Sequence, residues 1–132
     1  MSGTGTIKQL SARLPLNTIG TNMSTDPTAF KHLSVSELYE VIDNNTHVVV
    51  DIRDPNSFQN GRIKGALPLS NDNIADFMRT ADLDKPVVVC CYHGHSSQQA
   101  AQFLISQDFT DVYSLDGGFT QWQLEHPESV EQ

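Results

Sequence analysis

Two short, predominantly apolar runs dominate the hydrophobic pattern of this chain. They occupy residues 47–52 and 86–90, and both are rich in valine. Continuous β-branched runs of this length are typical of parallel strands that are buried on both faces. A third run at 112–115 predicts another strand, and residues 66–69 predict a brief extended segment.

Amphipathic segments alternate with these runs and predict helices. A serine followed three residues later by glutamate has the spacing of a capping box, and an Asp-Pro pair is a typical helix start. The predicted helices lie at about 34–43, 54–58, 71–79, 97–107 and 119–124, with Ser96 or Ser97 as the cap of the fourth. This alternation predicts an α/β domain with a mostly parallel central sheet and helices on both faces.

The first 30 residues do not share this pattern. They are rich in Ser, Thr, Gly and Asn, and they show no sustained helical or strand period. They also lack the continuous apolar region of a secretory signal. We expect residues 1–30 to be a disordered leader, in which residues 1–22 are an extension if Met23 is the native start, and residues 31–132 to form the domain.

Composition and charge exclude several classes of protein. The 132 residues include 8 basic and 16 acidic side chains, for a net charge of -8. This balance disfavours nucleic acids and anionic membranes as partners, and no apolar run approaches the roughly 18 residues of a membrane span. The two cysteines, Cys90 and Cys91, are adjacent and cannot cross-link a fold, so we expect a reducing, cytoplasmic environment.

The candidate chemistry lies in the loop that follows the second valine run. Residues 86–107 contain no Asp, Glu, Lys or Arg. Ligands of parallel sheets gather beyond the carboxyl ends of the strands, and a loop that closes onto a helix N-terminus directs several backbone N–H groups to one point. A thiol at that point is shifted toward the nucleophilic thiolate. Cys91 is the first residue of this loop, and Gly94 permits the backbone conformation that a tight loop needs.

The neighbouring cysteine and the two loop histidines have alternative interpretations. Cys90 continues the strand and is expected to be a small buried hydrophobe, so Cys91 is the predicted reactive residue. A metal site of Cys90, Cys91, His93 and His95 is the rival hypothesis. Four ligands within six consecutive residues converge poorly on a tetrahedral ion, which disfavours it. The histidines are then exposed loop residues or hydrogen-bonding partners of a substrate.

Three segments resemble the rhodanese family, in the order that the family has them. They are VVVDIRDPNSFQNGRIKGALPL, VVCCYHGHSSQQAAQFL and SLDGGFTQW, and together they span residues 48–122. The chain is similar in particular to the small single-domain thiosulfate sulfurtransferases of the GlpE type. The resemblance implies that Cys91 takes the outer sulfur of thiosulfate as a persulfide, releases sulfite and passes the sulfur to cyanide or a thiol, including that of a thioredoxin-like protein. It implies no metal and no organic cofactor.

The resemblance also implies supporting roles around the reactive cysteine. Substrate-binding groups would come from the whole loop, namely Tyr92, His93, Gly94, His95, Ser96 and Ser97. Asp51 and Arg53 would form an ion pair or hydrogen-bond network that supports the loop. Many rhodaneses carry a basic residue where this chain has Tyr92, so anion binding here would rest on backbone amides, hydroxyls and the histidines.

Other functions of the same fold give different expectations. A phosphatase needs a longer loop and an arginine six residues after the cysteine, but that position is Ser97 and no arginine occurs from 80 to 132. An arsenate reductase is not excluded on these grounds, although fewer motifs favour it. A non-catalytic rhodanese-like binding or regulatory module typically lacks the loop cysteine. A sulfur carrier fed by a protein persulfide would use Cys91 as the sulfurtransferase does.

Overall fold

A parallel five-stranded sheet forms the centre of the computed structural model, which describes residues 29–132. Its strands are β1 (Lys31–Leu33), β2 (Val48–Asp51), β4 (Leu67–Pro68), β5 (Val87–Cys90) and β6 (Val112–Leu115). They lie in the order β1-β6-β5-β2-β4, and all four pairings are parallel. Two short strands, β3 (Arg62–Ile63) and β7 (Val130–Glu131), pair antiparallel in a separate ribbon.

Within the described residues, five α-helices connect and cover the strands. They are α1 (Val35–Val41), α2 (Pro55–Asn60), α3 (Ile74–Thr80), α4 (Ser96–Ser106) and α5 (Gly118–Glu125). The predicted capping box is present, because Ser34 and Glu37 each accept a hydrogen bond from the other's backbone N–H. Asp54 caps α2 and Pro55 opens it, as the Asp-Pro pair predicts.

The core lies on both faces of the sheet. Successive side chains of β5 point to opposite faces, so Val88 and Cys90 contact the layer that contains Trp122, while Val87 and Val89 contact the layer that contains Leu104. The register places Asp51 beside Cys90 at the carboxyl ends of β2 and β5. The segments that follow these two strands therefore leave the sheet at the same edge.

The sequence-based fold class is confirmed, with differences at the margins. The three valine-rich or apolar runs form strands within one residue of their predicted bounds. The strands β1, β3 and β7 were not predicted, since two or three residues are too few to show a period. The predicted leader lies outside the described residues except for its last two, of which Phe30 packs against the core. No helix within residues 29–132 has the length and apolar character to cross a membrane.

Candidate active site

Cys91 lies directly after β5, with its thiol enclosed by the loop that leads into α4. Its Sγ accepts hydrogen bonds from the backbone N–H of Gly94, at 3.1 Å, and of Ser97, at 3.3 Å. The Ser97 hydroxyl lies 3.3 Å from the same sulfur. Only 4% of the Cys91 surface is exposed. The loop therefore concentrates donors on one sulfur atom, as the sequence predicts.

These donors change the acidity of the thiol. Burial alone raises the pKa of Cys91, because it disfavours the charged form. The hydroxyl and N–H of Ser97 and the N–H groups of Gly94 and His93 stabilise the thiolate and outweigh burial. The resulting pKa lies below the usual 9.0, so the nucleophilic form is favoured.

Cys90 has the opposite environment. Its side chain is completely buried in the core layer that contains Trp122. Burial, reinforced by the nearby Asp51 carboxylate, raises the pKa of the Cys90 thiol well above 9.0. Cys90 is therefore a buried core residue. The two neighbours differ because Cys90 ends β5 with its side chain in the core, whereas Cys91 begins the loop.

Gly94 allows the loop to fold around the sulfur. Its φ is +92°, a conformation that L side chains rarely adopt, and a Cβ there would lie 2.9 Å from the backbone nitrogen of Gly117. The Gln98 amide in the first turn of α4 donates to the Gly94 carbonyl at 2.9 Å. Contacts from both sides thus hold the turn that points the Gly94 N–H toward Cys91.

The first turn of α5 holds the other side of the loop. The backbone N–H of Phe119 donates to the Cys91 carbonyl at 2.8 Å, and that of Thr120 donates to the Tyr92 carbonyl at 3.0 Å. Unpaired N–H groups at a helix start are suited to this role. In the sequence, the signal for this contact is the Gly117-Gly118 pair that immediately precedes the two donors.

A buried ion pair lies behind the loop. Arg53 donates from Nε and Nη2 to the Asp51 carboxylate, with a shortest distance of 2.7 Å, and from Nη2 to the Gly61 carbonyl at 2.6 Å. The guanidinium also lies over the Phe119 ring, 4.1 Å from its centroid. The predicted pair therefore forms, and it connects the end of β2 with the helix that holds the loop.

Residues 34–125 match the family described as the rhodanese-like domain. The chain belongs to the rhodanese family. It is 52% identical to the thiosulfate sulfurtransferase GlpE of Pseudoalteromonas translucida, over 78% of this chain and 98% of that protein. It is 57% identical to the GlpE of Shewanella oneidensis, over 72% of this chain and 94% of that protein. The crystal structure of a rhodanese-related protein from Thermoplasma volcanium is 26% identical, with a TM-score of 0.63 over 74% of this chain and 94% of that one.

The outer rim of this rhodanese loop consists of exposed side chains. Tyr92, His93, His95 and Ser96 are all exposed. The Tyr92 hydroxyl donates to the Asp54 carboxylate and lies 2.6 Å from the Ser57 hydroxyl. The hydrogen bond from Tyr92, and after it that from Ser57, lowers the pKa of Asp54 to about 2. This link between the loop and α2 was not predicted, because the residues are far apart in sequence.

The predicted serine cap of α4 is wrong. His95 occupies the N-cap position of this helix, and no side chain of residues 29–132 caps it. Ser97 instead is fully buried, and its hydroxyl lies between Cys91 Sγ and the hydroxyl of Ser114, at 2.8 Å from the latter. The reason is that Ser97 faces the sheet from the first turn of α4. Sequence reasoning missed Ser114, which looks like an ordinary strand residue.

The residues of the rival metal hypothesis do not converge in this rhodanese. His93 and His95 are exposed on the rim, whereas Cys90 is buried in the core. Within residues 29–132, no three His, Cys, Asp or Glu side chains are arranged to hold a metal ion. The loop as folded presents one sulfur surrounded by backbone N–H groups and a hydroxyl, which is an arrangement suited to an anionic sulfur species.

Proposed function

We propose that this rhodanese is a thiosulfate sulfurtransferase that carries the transferred sulfur on Cys91. The observation that supports this most directly is the convergence of the Gly94 and Ser97 N–H groups on Cys91 Sγ. Such preorganised donors stabilise a thiolate without reorganisation during the reaction. The names of the relatives described above, which match at 52% and 57% identity, support thiosulfate as the sulfur donor.

The first half-reaction forms the persulfide. The Cys91 thiolate attacks the outer sulfur of thiosulfate, and a new sulfur–sulfur bond forms to Sγ. The original sulfur–sulfur bond of thiosulfate breaks, and its electron pair leaves with sulfite. One thiolate and one thiosulfate dianion become one persulfide anion and one sulfite dianion, so atoms and charge balance. The loop N–H groups support the negative charge of the enzyme on both sides of this step.

The second half-reaction returns the enzyme to its thiolate form. Cyanide, or the thiolate of an acceptor, attacks the outer sulfur of the persulfide and leaves as thiocyanate or as a new persulfide. The bond to Cys91 Sγ breaks, and Sγ keeps the electron pair. This order of events is a double-displacement mechanism. The acceptors that fit this chemistry are small thiols and the reactive thiol of a thioredoxin-like protein.

A cytoplasmic location and a catalytic domain of residues 31–132 are part of the same proposal. A persulfide cycle needs Cys91 to be reduced, and this supports a cytoplasmic location. The match of residues 34–125 to the rhodanese-like domain supports residues 31–132 as the catalytic domain. The Asp51–Arg53 pair then has a supporting role, since the Arg53 guanidinium also contacts the Phe119 ring and the Gly61 carbonyl at the end of α2.

The test compares two neighbouring thiols. The parent, Cys91→Ser and Cys90→Ala are incubated with thiosulfate and cyanide, and thiocyanate is measured. We expect activity in the parent and in Cys90→Ala, and none in Cys91→Ser. Intact mass of the parent after thiosulfate alone should show a gain of one sulfur atom, which cyanide removes. Activity that survives Cys91→Ser would refute the assignment, and a parent inactive with every sulfur donor would favour a binding module.

A further inference from the structure

Two buried hydroxyls form a chain that ends at the reactive sulfur. Ser114 lies on β6 beside Val89, and its side chain points to the face of the sheet that α4 covers. Both Ser97 and Ser114 are completely buried, and their hydroxyl oxygens are 2.8 Å apart. The Ser97 oxygen is in turn 3.3 Å from Cys91 Sγ. Ser114 itself makes no hydrogen bond to the sulfur in this arrangement.

The number of hydrogens in this chain depends on the charge of the sulfur. With a thiol, Cys91, Ser97 and Ser114 carry three donor hydrogens but share only two contacts. With a thiolate, two hydrogens serve the same two contacts: Ser114 donates to Ser97, and Ser97 donates to sulfur. Among the described residues, the Ser114 hydroxyl has no other hydrogen-bond partner. A buried donor without an acceptor is costly, so the chain is complete only with the thiolate.

We propose that Ser114 is a positioning residue, whose hydroxyl donates to Ser97 and thereby commits the Ser97 hydroxyl to donate to the Cys91 thiolate. This role rests on the proposed function of Cys91. Hydrogen bonds in series polarise one another, so the Ser97 oxygen that accepts from Ser114 becomes a stronger donor to sulfur. The same arrangement opposes protonation of Sγ. A Cys91 thiol would have to donate its hydrogen to the Ser97 oxygen, but the hydroxyl hydrogen of Ser97 already points toward the sulfur.

The direct and the indirect donor should have different effects on the thiol. Replacing Ser97 with alanine removes a hydrogen bond to a charged group and should raise the pKa of Cys91 by about one unit. Replacing Ser114 should raise it by about 0.3 unit, which is about a twofold loss of thiolate at pH values below the pKa. Because Ser114 acts through Ser97, the double variant should match Ser97→Ala alone.

The experiment measures the rate of alkylation by iodoacetamide against pH, with the modified cysteine located by peptide mass. The variants are Ser97→Ala, Ser114→Ala, the double variant and Ser114→Thr, which retains the hydroxyl. Val112→Ala is the matched control, because it removes a completely buried side chain from the same face of the same strand. It should lower thermal stability without moving the Cys91 profile. Ser114→Thr should restore the parental midpoint.

The outcomes separate this proposal from the proposed function. Alkylation confined to Cys90 in the parent would contradict the assignment of Cys91 as the reactive thiol, and with it the proposed role of Ser114. Alkylation of Cys91 with an unchanged midpoint in Ser114→Ala would overturn the role of Ser114 alone. Additive shifts in the double variant would also overturn it, because they would show that Ser114 acts on the sulfur independently of Ser97. A shift in Val112→Ala equal to that in Ser114→Ala would assign the effect to loosened packing.

Discussion

Gly118 lies against the carbonyl group of Cys91 so closely that a Cβ on Gly118 would be 2.5 Å from the Cys91 carbonyl oxygen. The backbone of the reactive loop therefore rests directly on the start of α5. The contact is between two main chains, so no side-chain rotation can relieve it. The position of the reactive sulfur depends on a glycine that lies 27 residues further along the chain.

Gly118→Ala should displace the loop and lower activity. The added methyl group forces Cys91 and α5 apart, and a misplacement of about 1 Å can cost about a hundredfold in rate. Gly65→Ala is the matched control, because Gly65 also has a positive φ, +79°, but no atom of the described residues beyond its chain neighbours lies within 4 Å of its Cβ position. Both variants should lose about 1–2 kcal/mol to backbone strain. Thiocyanate formation and denaturant unfolding are measured together, and equal activities in the two folded variants would contradict the prediction.

The buried Asp51–Arg53 pair should be sensitive to loss of either partner. Arg53→Leu leaves the Asp51 carboxylate buried without its counterion, which should cost about 3–5 kcal/mol in the free energy of unfolding. Arg79→Ala is the control, since its pair with Asp76 is exposed and should be worth about 0–1 kcal/mol. Urea unfolding of both variants checks this. A loss below 1 kcal/mol in Arg53→Leu would show that the pair does not support the fold.

The activity with thiosulfate should have an acidic limb set by Cys91. The pKa of Cys91 lies below 9.0, and the thiolate is the acting form, so activity is retained above that pKa and lost as pH falls through it. Well below it, kcat/KM should fall about tenfold per pH unit. Cys90→Ala should give the same profile, because the pKa of Cys90 is shifted in the opposite direction. A midpoint at or above 9.0 would contradict the geometry of the loop.

The local part of the site could be predicted from sequence, and the distant part could not. Cys91, Gly94 and Ser97 lie within one strand–loop–helix segment, where the backbone geometry of a helix start already indicates converging N–H groups. Ser114 and Gly118 reach the same site through β6 and α5. Their contribution depends on which strands are neighbours, and no local pattern contains that information.

The fold shows the same division between local and distant signals. The valine runs are long enough to indicate buried strands, and the capping box of Ser34 and Glu37 indicates a helix start. The pairing of β3 with β7 joins Arg62 to Glu131, which are far apart in sequence and belong to strands of two residues. Such pairing arises from tertiary packing and leaves no period to detect. The prediction of a serine cap for α4 was wrong for a related reason, because Ser97 is buried against β6 and hydrogen-bonds there instead.

Tyr92→Phe should release Asp54 from the loop. The hydrogen bond from the Tyr92 hydroxyl is the largest cause of the low Asp54 pKa of about 2, so its removal should raise this pKa toward the usual 3.8. A depressed carboxyl pKa stabilises the folded state above about 3.8, and that contribution is lost as pH falls through about 2. Carboxyl titration by NMR measures the shift. Ser57→Ala should give a smaller rise, and an unchanged Asp54 in Tyr92→Phe would contradict the contact.

The acidic charge of the chain should slow the approach of anions to Cys91. The net charge is -8, and the loop from Cys91 to Ser97 carries no lysine or arginine to offset it. Alkylation by iodoacetate, an anion, should therefore speed up relative to neutral iodoacetamide by roughly two- to fivefold as salt rises from about 0.01 M to about 0.15 M. Taking the ratio of the two rates removes any effect of salt on the thiolate fraction, because both reagents react with the same Cys91 thiolate. The kcat/KM for thiosulfate should rise with salt in the same direction. A ratio independent of salt would show that the loop N–H groups and the exposed rim alone set the potential at Cys91.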